Sequence, residues 1–341
     1  LAALLLIPAS APPFPQASGQ EAAGEKVSLR LNVRKGDRFA YRFTMDTDQS
    51  MKMGGADMGS KVQVEKALAY TVEEVAEDGS AWIEVKVGTI RGKMTMPMMG
   101  EMEFDTSKPE EEDSGPMAAM TTKPLTAMAG KSFRMKLTAS GRLVEVRGVA
   151  EAMKGAFGEG GEGGGMMGKV MKDMYTDEGV RKSSEGYFAR VPEAPVAPGS
   201  AWDTEFDMPR SGPGLDVVFR GKSKLEKADG TEASIATEGT LSMRESPASA
   251  KTEAEDPMEA QAAALMRDMK IEKGELRSAM RVSRKDGLPL GSTTESRIEM
   301  TMPNPMGGDG TRIRTVTTTK MAMERTALPA EPAAGGPTKQ D

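Results

Sequence analysis

The chain has 341 residues, a formal net charge of −6 at pH 7, and neither Cys nor His. These two absences exclude disulfides, iron–sulfur clusters, thiolate zinc sites, cysteine nucleophiles and every mechanism that needs an imidazole base. Leu, Ile, Val and Phe number only 53 while Met alone numbers 29, so thioether side chains must fill much of the core. We therefore predict a Met-rich globular protein that is not an enzyme.

The amino end is typical of an export signal. Residues 1–7 are apolar, Pro8 and small residues follow, and Ala17-Ser18-Gly19 offers a cleavage motif before Gln20. The apolar run is too short to span a bilayer. We predict a signal peptide over residues 1–19 and a flexible segment over 20–26, with a buried amino-terminal strand as the alternative. The expected location is periplasmic or extracellular, with no lipid anchor because the chain has no Cys.

Alternating apolar and polar residues predict a first β-rich half over residues 27–154. The alternation begins at residues 27–33 and resumes at residues 39–45, after a turn at Gly36-Asp37. Turns at Asp78-Gly79 and Ser140-Gly141 then predict two hairpins. A short helix is expected over residues 149–157.

A glycine-rich linker is predicted over residues 155–168, followed by a helical connection and a second β-rich half over 169–327. Hairpin turns are expected at Asp229-Gly230 and Asp286-Gly287, and residues 328–341 are expected to be disordered. Further helices are predicted over residues 166–174, 178–188 and 257–271.

The fold class is therefore mainly β. It consists of two related antiparallel halves with curved sheets, sandwich or half-barrel-like, and a few short helices. The turns of the two halves follow the same order. A duplication would explain this agreement, and so would chance agreement between two all-β halves.

Three stretches of strand and turn residues carry a resemblance to a known family. They are residues 29–41 around Lys35-Gly36-Asp37, residues 129–135 together with 141–148, and residues 191–202, which end in Gly199-Ser200-Ala201-Trp202. Together they resemble a bacterial secreted or lipoprotein family known as domain of unknown function 6263. The resemblance covers most of residues 27–325 and implies export and a β-rich fold, with no catalytic residues. Members anchored through a lipobox differ from this chain, which lacks the Cys.

Methionine clusters are the most conspicuous candidate for a metal site. Thioether sulfur suits soft monovalent ions, so a dense run of Met predicts Cu(I) or Ag(I) binding. The alternative is that these side chains only fill a core poor in Leu and Ile. The candidate ligands are Met94, Met96, Met98, Met99 and Met102.

A pliable cavity for a hydrophobic or lipid-like ligand is the leading functional hypothesis. Curved antiparallel sheets lined by Met can repack around varied apolar partners, with aromatic residues completing the lining. The alternative is that these aromatic residues belong to an ordinary core, which is the more frequent place for such residues. The candidate lining residues are Tyr70, Trp82, Phe133, Trp202 and Phe206.

The predicted function is an exported, non-enzymatic binding or envelope-associated module without a cofactor. Its expected partner is a lipid-like small molecule or an envelope protein, and not nucleic acid, because basic residues are dispersed among acids in an acidic chain. The alternatives are a protein–protein scaffold of the cell envelope, Cu(I) or Ag(I) binding, and a hydrolase that works without His or Cys. No transmembrane span is expected.

Overall fold

A computed structural model describes residues 25–53, 56–97, 100–108, 127–154, 175–188, 190–212, 215–245, 268–304 and 311–328. In this part of the chain, twelve antiparallel strands form one open, curved sheet accompanied by two short α-helices. The prediction of a mainly β, antiparallel fold with curved sheets is confirmed. The predicted signal peptide, linker, helix over residues 166–174 and tail beyond Leu328 lie outside the described residues.

The first half of the chain contributes six strands and a helix. They are β1 Arg38–Met53, β2 Ala56–Val75, β3 Ala81–Met96, β4 Gly100–Asp105, β5 Ser132–Leu137, β6 Leu143–Arg147 and α1 Val149–Ala152. The second half begins with a helix and a 3₁₀ turn and continues with six strands. They are α2 Asp177–Ser184, the turn Glu185–Tyr187, β7 Ala201–Gly212, β8 Leu215–Ala228, β9 Glu232–Glu245, β10 Lys270–Ser283, β11 Pro289–Pro303 and β12 Arg312–Thr326.

The strands follow one another as a meander in the order β6-β5-β3-β2-β1-β12-β11-β10-β9-β8-β7, and β4 pairs with β3 beside this path. The first and last strands meet at the centre, where they pair from Ala40 opposite Thr326 to Lys52 opposite Arg314. The two predicted halves are therefore joined as one sheet. The hairpins expected at Asp78-Gly79, Ser140-Gly141, Asp229-Gly230 and Asp286-Gly287 are confirmed.

The two edge strands, β6 and β7, are not paired with each other in the described sheet, and α2 contacts both of them. Thr176 caps this helix, since its Oγ1 accepts a hydrogen bond from the Gly179 N–H at 3.0 Å. The helix expected over residues 178–188 is thus confirmed as α2 and the 3₁₀ turn. The helix expected over residues 149–157 is shorter, because α1 ends at Ala152.

Strand alternation gives the sheet two unlike faces. The inner face packs against α1, α2 and the core, which includes Phe39, Tyr41 and Phe43 of β1. The outer face carries charged side chains such as Arg42, which pairs with Glu324 at 2.8 Å. This one-sided burial is what antiparallel sheets allow.

The base of the inner face is filled by two core clusters. In the first half, residues of β1, β2, β3, β5 and β6 pack against Val149 of α1 and against Val180 and Phe188. The last two belong to the helical segment, which is α2 with the 3₁₀ turn and Phe188. In the second half, Leu225, Ile235 and Val282 pack against residues from 27–29 and 191–196. We call these two clusters together the closed base of the inner face.

The predicted strand over residues 27–33 is wrong. The segment forms only a single bridge between Val27 and Val196 and lies outside every strand of the sheet. Its backbone instead bonds to hairpin turns, with the Leu31 N–H donating to the Ala139 carbonyl at 2.8 Å and Asn32 to Asp286 at 2.9 Å. Its alternate residues are buried because the segment packs against the closed base, so the alternation reflects burial without strand pairing.

The predicted helix over residues 257–271 is wrong at its carboxyl end. Residues 257–267 lie outside the described residues, but Ile271 belongs to β10 and pairs with Met300 of β11. Pairing along a neighbouring strand outweighs the helical spacing of apolar residues in this segment.

We expect Gly287→Ala to destabilise the protein more than Gly36→Ala. Both glycines have left-handed backbones, with φ of +71° and +89°, which cost an L-residue about 1–2 kcal/mol. At Gly287, a Cβ would also lie 2.2 Å from the Arg30 carbonyl oxygen, whereas nothing lies within 4 Å at Gly36. Urea denaturation should show a loss above about 2 kcal/mol for Gly287→Ala, and equal losses would contradict the observed packing of residues 27–33 on the turn.

Candidate functional site

Above the closed base, the inner face continues along the strands to the opposite end of the sheet. We call this region the upper inner face, and it begins at the opposed pair Met45 and Met321 on the two central strands. The β1–β12 pairing has no register shift, so every second residue of β1 after Phe43 lies on the same face of the sheet as Phe43. The opposed inward pairs that follow are Thr47 with Thr319, Gln49 with Thr317, and Met51 with Thr315.

Among the residues whose side chains the structure describes, the upper inner face carries no charged side chain. Cross-strand register places apolar residues and neutral polar residues there, including the amide of Gln49, as far as the last pair of β8 and β9, Leu215 with Glu245. The inward methionines are Met45, Met51, Met58, Met94, Met96, Met102, Met208, Met243, Met300, Met302 and Met321. The face is therefore apolar and rich in thioethers, and most of these side chains are half-buried.

Hydroxyl side chains form a neutral band across this face. Thr204, Ser223 and Thr237 are linked in sequence by oxygen–oxygen distances of 2.7 Å, and the Thr294 hydroxyl donates to Ser278 at 2.9 Å. Thr47 and Thr319 lie 3.2 Å apart. A hydroxyl has one proton to donate and two lone pairs to accept with, so these groups keep acceptor capacity for a further polar group. Thr204 and Ser223 are buried, so only the half-buried members of the band can orient an uncharged polar part of a ligand.

The lower border of the upper inner face carries one cation, Lys66. It lies opposite Phe43 in the β1–β2 register, and its Nζ is 5.3 Å from the ring centre of Phe43 and 5.4 Å from that of Tyr187. Sequence analysis missed this residue. The signal was a Lys in an inward position of the alternating series Val62, Val64, Lys66, Leu68, Tyr70.

The structure disperses the five predicted lining residues. Tyr70 and Phe133 lie in the closed base, and burial raises the pKa of the Tyr70 phenol well above its usual value. Trp82 lies on the outer face, with the Arg147 guanidinium 4.5 Å from its ring centre. Trp202 lies at the base, where its Nε1 donates to the Arg190 carbonyl at 2.8 Å. Only one of the five lies on the upper inner face; it is Phe206, which stacks on Phe219 at 4.7 Å.

The predicted metal ligands that the structure describes lie together on the upper inner face. Met94 of β3 is directly opposite Met102 of β4, and Met96 follows two residues along the same face. Met98 and Met99 lie outside the described residues. Among the described residues, no group of three or more Asp or Glu side chains is arranged to hold a metal ion.

A buried ion-pair network joins the helical segment to β7. The carboxylate of Glu185 is paired with Arg181 and, at 2.7 Å, with Arg190, and it accepts the Asp207 N–H at 3.3 Å. The Arg190 guanidinium lies 5.4 Å from the Phe206 ring centre, and burial lowers its pKa. The network therefore fixes the edge of the sheet beside the upper inner face.

We expect Glu185→Ala to lower the free energy of unfolding by about 3 kcal/mol, because it leaves the largely buried Arg190 guanidinium without its carboxylate, whereas Arg181 retains its pair with Glu178. Glu205→Ala is the matched control, since Glu205 pairs with Arg220 at the exposed surface and should cost less than about 1 kcal/mol. Chemical denaturation of both variants measures the difference. Equal effects would show that the network does not hold the helical segment on β7.

No described helix is long and apolar enough to cross a membrane. No curated protein matches the sequence. Among solved structures, the chain is similar to one of lipovitellin concerned with lipid–protein interactions, with a TM-score of 0.43, 8% identity, and coverage of 89% of this chain and 26% of that chain. This chain thus spans about a quarter of the length of lipovitellin.

Two further similar structures cover almost the whole length of both chains. DynF from the dynemicin biosynthesis pathway of Micromonospora chersina has a TM-score of 0.22 and 6% identity, with coverage of 91% of this chain and 92% of its own. An outer membrane channel from Pseudomonas putida F1 has a TM-score of 0.23 and 6% identity, with coverage of 87% and 98%. Identities and TM-scores this low assign no activity to this chain.

The family model of DUF6263, a family of unknown function, matches residues 78–289. The matched segment is more than half of the 341 residues. It runs from the β2–β3 turn to the first residue of β11 and includes the helical segment that contacts both sheet edges. The resemblance noted in the sequence is confirmed, and the chain belongs to the DUF6263 family of unknown function.

Proposed function

We propose that this protein is an exported, non-enzymatic binding module that holds a hydrophobic, lipid-like ligand against its upper inner face. The observation that carries the proposal is the contrast between the two faces of one sheet. The outer face is charged, whereas the upper inner face carries no charge among the residues whose side chains are described and is rich in half-buried Met. Apolar surface of this kind favours contact with an apolar partner over contact with water.

Methionine is well suited to such a surface. Its unbranched thioether side chain has three rotatable bonds, so a Met-lined face can adjust to ligands of different shape. The central pair Met45 and Met321 begins this lining, and the half-buried Phe206 provides a rigid aromatic surface farther along the sheet, held in place by its stack on the buried Phe219. The hydroxyl band lies between these features and accommodates an ester, amide or hydroxyl of the ligand.

Export is part of the proposal and rests on residues 1–19, whose apolar run and small-residue motif are typical of a signal peptide.

We expect the double variant Met45→Gln with Met321→Gln to weaken binding of Nile red, an uncharged apolar dye, by about 10-fold. Gln has nearly the shape of Met but is polar, and losing two apolar contacts should cost roughly 1–2 kcal/mol in total. The matched control is Thr44→Gln with Ala322→Gln, the adjacent opposed pair on the outer face. Fluorescence titration of both variants, with circular dichroism to check folding, makes the comparison.

Unchanged dye affinity in the inner-face variant, or an equal loss in the outer-face control, would refute the upper inner face as the binding surface. Native mass spectrometry of protein purified from the periplasm in mild buffer gives an independent test. A co-purifying lipid-sized adduct and a mature amino terminus near Gln20 support the proposal, and a retained leader contradicts the predicted cleavage.

Cu(I) binding is the second candidate function, favoured by the direct opposition of Met94 and Met102 with Met96 beside them. We expect Ag(I), a stable substitute for Cu(I), to bind the wild-type protein and to be lost from Met94→Leu with Met102→Leu, which keeps the volume but removes two thioethers. Met243→Leu with Met300→Leu is the control on the same face. Silver binding that is equal in both variants would exclude this site.

A further inference from the structure

Lys66 differs from neighbouring cations in the direction of its side chain. In the β1–β2 register it opposes Phe43, and the next inward residues on β2 are Val64 on one side and Leu68 on the other. Its Nζ lies within 5.4 Å of the ring centres of both Phe43 and Tyr187, which lie 4.9 Å from each other. The side chain therefore lies on the inner face, where the closed base meets the upper inner face.

The charge of Lys66 is not neutralised by a carboxylate in the described part of the chain. Cations nearby on the outer face are neutralised. Lys61 lies 3.7 Å from Asp46, Arg91 lies 2.7 Å from Glu65, and Lys93 lies 2.6 Å from Glu101. Within the described residues, the partners of the Lys66 ammonium are the Phe43 and Tyr187 rings, and the side chain is half-buried.

Aromatic faces compensate a half-buried ammonium only in part, whereas charges removed from water are normally paired with an opposite charge. A bound anion that entered the inner face would supply that charge. Because the surrounding inner face is apolar, the anion should belong to a molecule whose remaining part is apolar.

Among the described residues, the two directions along β2 from Lys66 differ in burial. Toward the base, Leu68 and Tyr70 belong to the packed core. In the opposite direction, the inward residues of β2 are Val64, Val62, Ser60 and Met58, which are all half-buried and extend over about 20 Å at 3.3–3.4 Å per residue. A linear hydrocarbon chain can lie along this row and contact Met45 and Met51 of the neighbouring strand.

We propose that Lys66 binds the anionic headgroup of an amphiphile, a carboxylate or a phosphate monoester, whose hydrocarbon tail lies along the upper inner face. This inference deepens the proposed function and rests on it. The ammonium provides the charge, the Phe43 and Tyr187 rings hold it in place, and the apolar row binds the tail. The ligand class is then a single-chain anionic amphiphile and not a neutral lipid.

The experiment compares three ligands with the same saturated chain and different heads, namely hexadecanoic acid, hexadecyl phosphate and hexadecanol. Each is used below its critical micelle concentration to displace Nile red from the full-length protein. We expect the wild type to bind at least one of the two anions about 10-fold or more tightly than the alcohol. Which anion binds more tightly distinguishes a carboxylate from a phosphate headgroup.

Substitution then assigns the preference to Lys66. We expect Lys66→Met to weaken binding of the preferred anion by about 10-fold and to leave hexadecanol binding unchanged, and Lys66→Arg to retain the preference because it retains the charge. Lys86→Met is the matched control, since Lys86 is exposed on β3 and paired in register with Ala69 on the outer face. This control should bind all three ligands as the wild type does.

Each remaining outcome has a distinct meaning. A wild type that binds the acid, the phosphate and the alcohol equally overturns the headgroup site while the proposed function stands. A Lys66→Met variant that loses hexadecanol to the same extent as the anion overturns it too, because Lys66 would then act only on packing. A wild type that binds neither Nile red nor any of the three ligands refutes the proposed function itself.

Discussion

The unbroken antiparallel pairing of β1 with β12 determines which side chains reach the inner face. From Ala40 opposite Thr326 to Lys52 opposite Arg314 the register never shifts, so each inward residue of β1 faces an inward residue of β12. Side chains alternate with a period of two, and a slip by one residue would therefore turn Asp46, Asp48 and Lys320 inward and expose the methionines. The uncharged upper inner face depends on this single pairing, which also joins the two halves of the chain.

Core residues are distributed unequally along the strands. The branched and aromatic residues are concentrated at the base, where Phe39 stacks on Tyr70 at 5.0 Å and the Tyr41 hydroxyl donates to the Pro289 carbonyl at 2.8 Å. Burial raises the pKa of the Tyr41 phenol, so this hydrogen bond persists through the physiological pH range. Among the described residues, the base uses most of the branched ones, and Met with Thr and Ser lines much of the rest of the face beside a smaller buried cluster around Phe219.

The closed base and the upper inner face act together in the proposed function. The base, with α2 held on both sheet edges and Glu185 paired to Arg190, gives the strands fixed positions. The upper inner face then combines adaptable thioethers, a neutral hydroxyl band and, at its lower border, the cation Lys66. A rigid base beneath an adaptable apolar surface is suited to a ligand with one polar end and one apolar end.

Local patterns in the sequence determined the strands and hairpins. Alternation and the turn dipeptides Asp78-Gly79, Asp229-Gly230 and Asp286-Gly287 act over a few residues. Strands and hairpins can therefore be predicted from them without knowledge of the fold. The same alternation was misleading at residues 27–33, because burial beneath a sheet and pairing within it leave the same pattern. The helical spacing before Ile271 was misleading because a neighbouring strand competed with it.

The candidate site depended on contacts between residues distant in sequence. Trp82 and Phe206 are both aromatic residues in alternating strands, and only the register of neighbouring strands places the first outside and the second inside. Lys66 was visible as a charge in an inward series, but its separation from carboxylates follows from the packing of β1, β2 and Tyr187. The sequence thus determined where strands form and which chemistry is absent, since those properties are local or compositional. The tertiary structure alone decided which side chains share a face, because that depends on the pairing of β1 with β12, the two ends of the described sheet in sequence.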